Sequence, residues 1–141
     1  MQVALIERSR IERLWPVLAE ILWPAVQQDP TGMSMEKLRE RLADGRFSLV
    51  EGDCDGASGL LAYHLFEEDG ELCCFASYLV GKVDGGPRQM LGTMRRLMEA
   101  FEASCRAAGV KQVFIGGRDW GRVFPDYELT GDVPNRRRKR L

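Results

Sequence analysis

A glycine-bearing segment near the middle of the chain has the residue types and spacing of an anion-binding turn. An apolar run over residues 72–80 is followed by a small-residue loop and then by residues 89–94, with the sequence QMLGTM, where a long amphipathic helix begins. The first backbone N–H groups of a helix lack intrahelical partners and point the same way as the positive end of the helix dipole. Phosphate groups bind at such helix starts, and glycine lets the backbone approach them closely. We therefore predict that backbone N–H groups of residues 89–94 bind a pyrophosphate.

The period of the apolar residues predicts the elements that would position this turn. Residues 2–6 are expected to form a short strand, and residues 9–27 a helix with a kink or break near Pro16 and a bend or end at Pro24. Residues 29–32 (DPTG) are expected to form a turn, and a second helix is expected from Ser34 to Gly45. Three strands joined by tight turns then predict an antiparallel meander; they cover residues 47–51, 57–66 and 72–80.

The second half of the chain has the pattern of a crossover unit. The amphipathic helix continues to Ala108 and stops at Gly109, and residues 110–115 form an apolar strand. A strand, a helix and a second strand in this order are expected to form a right-handed βαβ unit with parallel strands. A short helix from Asp119 through Phe124 and a polar terminal segment follow. The expected architecture is one α/β (α+β) domain over residues 1–141, with a mixed sheet and helices on both faces.

Composition and charge exclude several classes of protein. A chain of 141 residues with 45% hydrophobic and 29% charged residues is typical of one globular domain, and no apolar run is long enough to span a membrane. The N-terminus lacks the pattern of a signal peptide, which favours the cytoplasm. The net charge is −1, but the basic tail, residues 136–140, holds five of the twenty basic residues, so the remainder carries 15 − 21 = −6. An acidic body with a basic tail is not typical of a nucleic-acid groove. The tail is expected to be a solvated terminus or an edge strand with charges along it.

The four cysteines do not have the spacing of a metal site or of a disulfide framework. They are Cys54, Cys73, Cys74 and Cys105, and no pair has the C-x-x-C spacing. Adjacent cysteines in a strand point to opposite faces of the sheet. We therefore predict no bound metal and expect these residues to be small buried apolar side chains.

The order of the elements, together with the glycine-bearing turn, resembles the GNAT superfamily of acyl-CoA-dependent N-acetyltransferases. The cofactor motif of that family is Q/R-x-x-G-x-G/A, followed by two apolar helix positions and a glycine at the end of the helix. Gln89 and Gly92 match its first two defined positions, Leu97 and Met98 match the apolar pair, and Gly109 matches the final glycine. The resemblance covers nearly the whole chain in element order and these few positions in identity.

The resemblance implies acetyl-CoA as the cofactor. Met94 departs from the motif, because it stands where the family has glycine or alanine. Its side chain would either pack down into the core, in phase with Leu91 and Met98, or crowd the pyrophosphate. The residues expected to bind the cofactor are Leu79, Val80, Gln89, Leu91, Gly92, Thr93 and Met94.

Acyl transfer to an amine requires a general base for the amine and an acid for the thiolate leaving group. The acid of the family, a tyrosine, would fall near Arg122, where this chain has no tyrosine. The catalytic candidates are therefore His64, the only histidine, as the base, and Tyr78 and Tyr127 as hydroxyl groups. Each has a structural alternative: a packed or surface histidine, a tyrosine under the helix, and a core tyrosine.

Two hypotheses for function follow. The first is an acyl-CoA-dependent N-acyltransferase that acts on an unknown amine, with Arg118 and Trp120 either lining the ligand cleft or forming a separate cluster. The second is a catalytically inactive GNAT-fold protein with a structural or interaction role. Residues 117–120 (GRDW) and 125–127 (PDY) resemble small GNAT-like proteins of tailed bacteriophages, which would place such a protein in a virion, among protein partners or as a homo-oligomer. A nucleic-acid-binding module that uses the basic tail is a weaker third alternative.

Overall fold

Seven strands pair into a single mixed sheet, in the computed structural model that describes residues 1–54, 57–83 and 85–141. The elements are β1 (Gln2–Leu5), α1 (Arg8–Gln27), α2 (Met35–Ala43), β2 (Ser48–Cys54), β3 (Ala57–Glu68), β4 (Glu71–Val83), α3 (Pro87–Ala107), β5 (Gln112–Ile115), β6 (Glu128–Leu129) and β7 (Arg137–Arg140). The order of strands in the sheet is β1-β2-β3-β4-β5-β7-β6. The pairs are antiparallel except for β4 and β5, which are parallel. The predicted meander, crossover and mixed sheet are confirmed.

Helices cover both faces of this sheet, as predicted. On one face, Leu97 and Phe101 of α3 pack against Leu61 and Val113 in the larger of two apolar clusters. The smaller cluster lies on the other face, where α1 and α2 cover β2, β3 and β4. Helix α3 lies close to the sheet because Gly59 has no side chain: a Cβ atom there would come within 2.7 Å of a Leu97 methyl group. The two clusters fix each helix by its apolar stripe.

Helix α1 is continuous, so a break at Pro16 and an end at Pro24, two of the outcomes left open by the sequence, do not occur. Pro16 and Pro24 both lie inside the helix on its exposed side. A proline removes one intrahelical hydrogen bond, but the stabilisation of a helix in a protein comes mostly from packing of its apolar face. That face is uninterrupted here and consists of Ile11, Trp15, Leu18, Leu22 and Val26.

The segment after β5 differs from the predicted short helix. Residues 121–123 form a hydrogen-bonded turn, in which the N–H groups of Val123 and Phe124 donate to the Trp120 carbonyl. Asp119 caps this turn, since its carboxylate accepts from the Gly121 N–H at 3.0 Å. Pro125 follows at once and cannot extend the helical pattern, so one turn is all that forms.

The basic tail is a paired strand of the sheet and not a solvated terminus. It forms β7, which lies between β5 and the two-residue strand β6, so it is not an edge strand either. Its side chains meet the acidic body: Arg140 contacts Glu71 at 2.9 Å, and Lys139 contacts Glu102 at 2.8 Å and Asp126 at 2.6 Å. These ion pairs engage charges that the nucleic-acid alternative would need.

Lys139 forms the ion pair of this tail that reaches a buried carboxylate, and replacing Lys139 tests how much the pair stabilises the protein. Glu102 lies in the core with 4% of its side chain exposed, and it also accepts a hydrogen bond from Tyr127 at 2.6 Å. Replacing Lys139 with methionine would leave this buried carboxylate without its cation. We expect a loss of about 2 kcal/mol in the free energy of unfolding, less than for a fully buried pair because Lys139 is partly exposed.

Urea unfolding of Lys139→Met measures this loss from the shift of the midpoint at constant slope. Arg140→Met is the matched control, because it removes the neighbouring cation of the same strand, whose pair with Glu71 is open to solvent. Exposed ion pairs contribute little to stability, so the control is expected to unfold close to the wild type. Equal losses for the two variants would contradict the role given to Glu102.

Three of the four cysteines have the buried environment that the sequence predicts. Cys73, Cys74 and Cys105 are buried and unpaired, as predicted, and the side chain of Cys54 lies outside the described residues. The described part of the chain holds no group of three or more metal-ligating side chains arranged around one point. None of the helices described has the length and apolar character of a membrane span.

Candidate functional site

The two central strands of the sheet separate after a short stretch of pairing. Strands β4 and β5 pair only from Cys73 to Ala76 and from Gln112 to Ile115. Strand β4 continues to Val83, whereas β5 ends and the chain turns away at Gly116 and Gly117. Gly117 has a φ of +86°, in the left-handed region that favours glycine. Beyond Ala76, therefore, β4 has no partner on its β5 side, and a gap opens in the sheet.

A β-bulge in β4 lies at the start of this gap. Tyr63 pairs with Ala76 and Ala62 pairs with Tyr78, so Ser77 is an extra residue with no partner in β3. A single extra residue reverses which face of the sheet each later side chain meets. As a result, Tyr78 and Val80 face the cluster under α1 and α2, while Leu79 faces the cluster under α3. Without the bulge, Tyr78 would lie under α3.

An open cavity of 490 Å³ lies beside the gap, on the α1 and α2 side of the sheet. The connection between α1 and α2 forms one wall, side chains of β3 and β4 form the floor, and the turn after β5 lies on the far side. The lining includes Asp29, Thr31, Met33, Arg41, Phe47, His64, Phe66, Phe75, Ser77, Tyr78, Leu79, Arg118, Trp120 and Arg136. Arg118 and Trp120, predicted either to line a cleft or to form a separate cluster, line this cavity.

Four aromatic rings form the base of the cavity, and we call Phe47, His64, Phe66 and Phe75 the aromatic floor. The imidazole of His64 stacks on Phe75 at 5.7 Å between ring centroids and on Phe47 at 4.9 Å. The register of the sheet explains this row, because His64 in β3 is the lateral neighbour of Phe75 in β4. Phe66 lies two residues further along β3 and contacts His64 at 6.0 Å. A flat apolar group would pack well on such a floor.

Tyr78 and Asp29 form the polar pair of the cavity. The hydroxyl of Tyr78 donates to the Asp29 carboxylate, which also accepts from the N–H and hydroxyl groups of Thr31. Burial acts to raise the pKa of Asp29, but the hydrogen bonds from Tyr78 and Thr31 outweigh it and lower this pKa overall. Burial, and then the bond to Asp29, raise the pKa of Tyr78. At neutral pH the pair therefore consists of a carboxylate and a neutral phenol.

His64 lies half-buried in the aromatic floor. Its Nδ1 atom is buried with no hydrogen-bond partner among the described residues. Burial lowers the pKa of His64 below the ordinary value of 6.5, and the nearby charge of Arg41 lowers it further. The ring is therefore neutral at pH 7 and able to accept a proton.

The predicted anion-binding turn is helical in the structure, which corrects the position of its amide donors. Helix α3 begins at Pro87 after the N-cap Gly86, so residues 89–94 lie in its first two turns. Pro87 has no N–H group, and those of Gln89 and Met90 donate to the Gly86 carbonyl. The amides of residues 91–94 belong to the helical hydrogen-bond pattern and do not face a ligand. Proline is favoured at the first helical position, which explains the early start.

The remaining predicted cofactor residues occupy different places around α3. Thr93 is buried, and its hydroxyl donates to the Gln89 carbonyl at 2.9 Å. The side chain of Gln89 folds back on Gly85, where a Cβ atom would lie 1.3 Å from its amide oxygen. Leu91 is half-buried on the first turns of the helix, and in β4 Leu79 lines the cavity while Val80 packs under α1.

Met94 and Gly92 lie on different sides of α3. The Met94 side chain packs against the larger apolar cluster, and its Cγ would be 3.9 Å from a Cβ placed on Gly81 of β4. This is the inward orientation, the first of the two alternatives left by the sequence. Gly92 faces open space, since a Cβ there would meet only Arg96 Nη2, at 4.0 Å. The structure therefore leaves room beside Gly92 that Met94 does not fill.

The structure does not bring Tyr127 to the cavity. It is 1% exposed, and its hydroxyl donates to Glu102 under α3, on the opposite side of the sheet. Burial and the bond to Glu102 raise its pKa. A hydroxyl in this position cannot reach a ligand in the cavity, and we do not include it in the proposed site. The structural alternative, a core tyrosine, describes where it lies.

Sequence reasoning missed several polar residues of the cavity, among them Asp29 and Arg136. The segment DPTG at residues 29–32 was expected to be only a turn, and the carboxylate of Asp29 does cap that turn through Thr31. Arg136 was expected to belong to a solvated or edge segment. No local signal could have assigned either residue to a site, because both reach the cavity only through the packing of distant segments.

Comparisons with known proteins support the fold. No family model matches this sequence. No curated protein matches it either. The structure is similar to aminoglycoside 6'-acetyltransferase type Ii, with 15% identity, a TM-score of 0.64 and coverage of 98% of this chain and 94% of that chain.

Two further solved structures are also similar to this chain over nearly its whole length. Tetrahymena GCN5 has a TM-score of 0.63 and 11% identity, with 100% of this chain and 96% of that chain covered. The aminoglycoside 6'-N-acetyltransferase from Enterococcus faecium has a TM-score of 0.58 and 14% identity, with 99% and 97% covered. At these identities the likeness shows the fold, and the chain has the GNAT fold of acetyltransferases.

Proposed function

We propose that this chain is an acyl-CoA-dependent N-acyltransferase that binds its amine acceptor in the cavity above the aromatic floor. The observation that carries the proposal is the position of this cavity. It opens beside the gap between β4 and β5, and the bulge at Ser77 turns the Tyr78–Asp29 pair into it. The GNAT fold of the structural neighbours supports the same reaction class.

The residues around the N-terminal half of α3 fit a cofactor that carries a diphosphate. A Cβ atom on Gly86 would meet nothing within 4 Å, and the open side of Gly92 provides further room. The helix start contributes its dipole, and Arg88 adds a positive charge in the first turn. The gap next to β4 would accept the chain that links the diphosphate to the acyl group. Acyl-CoA, when bound, supplies an activated thioester carbonyl.

The side chains of the cavity then have three roles. The Asp29 carboxylate holds the ammonium form of the acceptor by charge, and Tyr78 orients that carboxylate through its hydroxyl. His64, whose ring is neutral at pH 7, would accept the proton that the amine loses as its nitrogen bonds to the acyl carbon, and the thiol leaving group would take its proton from solvent as the C–S bond breaks. The aromatic floor packs against the acceptor and excludes water from this side of the amine.

Titration of the protein with acetyl-CoA tests the proposal. We expect binding with micromolar affinity, and release of free thiol when an accepted amine is added. No binding heat at millimolar acetyl-CoA would reject the enzyme. It would favour the alternative of a catalytically inactive GNAT-fold protein with a structural or interaction role, for which a place in a bacteriophage particle stays a prediction from sequence resemblance. The missing tyrosine near Arg122 is the observation in favour of that alternative.

A further inference from the structure

The charged side chains that line the cavity do not balance. Three arginines, Arg41, Arg118 and Arg136, stand against one carboxylate, that of Asp29, so the lining carries 3 − 1 = +2. A cavity with this excess of positive charge attracts an anionic group.

Each of these arginines is held by an aromatic ring. Arg41 lies over Phe47 at 5.7 Å, Arg118 over Trp120 at 4.6 Å, and Arg136 over Phe114 at 4.6 Å. In the described part of the chain neither Arg41 nor Arg118 has an ion pair, and Arg136 has only Asp132, at 3.7 Å. A ring fixes the position of a guanidinium without occupying its N–H groups. Arg41 Nη1 donates to the Met33 sulfur at 3.7 Å, which leaves Arg118 and Arg136 as the better donors for a ligand.

Arg136 has a buried donor atom that lacks an acceptor. Its side chain is 22% exposed, and its Nε atom is buried with no hydrogen-bond partner among the described residues. A buried donor without an acceptor is costly, and a planar guanidinium matches the two oxygens of a carboxylate or phosphate. The ring that holds Arg136, Phe114, is the lateral neighbour of Phe75 in the aromatic floor.

We propose that the acceptor carries, besides its amine, an anionic group that Arg136 and Arg118 bind, with a flat apolar body on the aromatic floor. This inference rests on the proposed function, in which Asp29 holds the amine. It describes a zwitterionic acceptor, such as an amino acid with an aromatic side chain or its phosphonate analogue. A polycationic acceptor would be repelled by a lining with a charge of +2.

The test is direct binding to the full chain in the absence of acyl-CoA, by isothermal titration. The three probes share one body: phenethylamine, phenylalanine and the phosphonate analogue of phenylalanine. We expect at least one of the two anionic probes to bind about thirtyfold more tightly than phenethylamine, the size expected for a hydrogen-bonded charge pair. The ratio between the two anionic probes identifies the preferred anion.

Two variants distinguish binding of the anion at Arg136 from a general effect of the positive charge of the protein. Arg136→Gln is expected to reduce the affinity of the anionic probes to that of phenethylamine and to leave phenethylamine unchanged. Arg138→Gln removes an arginine from the neighbouring strand that does not line the cavity, and it is expected to bind like the wild type. If Arg136→Gln fails to fold, Arg118→Gln repeats the test at an exposed position after β5.

The outcomes are distinct from those of the acetyl-CoA titration. Equal affinity for the three probes, no binding of any of them, or anion binding unaffected by Arg136→Gln and Arg118→Gln would overturn the inference, even if acetyl-CoA binds. Selective binding of an anionic probe without acetyl-CoA binding would keep the anion site and reject the transferase.

Discussion

Replacing Gly92 with leucine is expected to abolish acetyl-CoA binding in a protein that folds at least as well as the wild type. Gly92 lies inside α3 and faces open space, so a leucine there meets no backbone. It would occupy the room that we assign to the diphosphate, and we expect affinity to fall about a hundredfold or more, equal to at least about 2.7 kcal/mol. Leucine is also a better helix former than glycine, which adds about 0.8 kcal/mol to stability. Isothermal titration and urea unfolding measure the two effects separately.

Ser104→Leu is the matched control for this variant. It adds the same side chain to an exposed position in the C-terminal half of α3, away from the proposed cofactor groove. We expect its acetyl-CoA affinity to equal that of the wild type. Wild-type affinity in Gly92→Leu would show that the cofactor does not lie along this side of the helix, and the assignment of Gly92 would then be wrong.

Replacing His64 with glutamine is expected to lower kcat about a hundredfold or more, the range of a lost general base. Glutamine keeps a polar side chain of similar size but cannot accept the proton. In the wild type, kcat/KM is expected to fall as the pH drops through the pKa of His64, because the ring then gains a proton and is no longer a base. Burial, and then the charge of Arg41, lower that pKa below its ordinary value of 6.5, so the midpoint of this acid limb should lie below 6.5. The pH profile of kcat/KM for the His64→Gln variant should lack this acid limb.

Phe66→Leu separates the proton transfer from the packing of the aromatic floor. Phe66 contacts the His64 ring at 6.0 Å but has no titratable group. We expect this variant to raise KM and to retain the acid limb of the profile. An acid limb that persists in His64→Gln would assign the base to another group, and the role given to His64 would then be withdrawn.

The fold was more predictable than the site. Ser34 was expected to begin the second helix, and its hydroxyl accepts from the Lys37 N–H at 3.1 Å, because a capping residue acts within one turn of the chain. The hairpin at residues 67–70 was predicted for the same reason, and its Asp69 and Gly70 have the positive φ values of such a turn. A break of the first helix at Pro16 does not occur, because packing outweighs the local effect of that proline.

The candidate site depended on contacts that no local pattern contains. Tyr78 was a candidate with a structural alternative, a tyrosine under the helix, and the unpaired Ser77 decides only that it faces α1 and α2 and not α3. Asp29 reaches Tyr78 from a separate turn, forty-nine residues away in sequence. Tyr127 had the residue type of a catalytic acid, yet the strand that brings Lys139 to Glu102 also encloses it in the core.

By itself the sequence determined the type and order of most elements, because helix and strand periods, caps and tight turns act between residues a few positions apart. Tertiary structure alone decided which side chains share the cavity. Phe47 precedes β2, His64 lies in β3 and Phe75 in β4, and they meet because the register of the sheet aligns them. Alternate residues of a strand face opposite sides of the sheet, so one added residue in β4 changes which of its side chains reach the cavity. The position of that added residue is set by pairing between strands that lie far apart in the sequence.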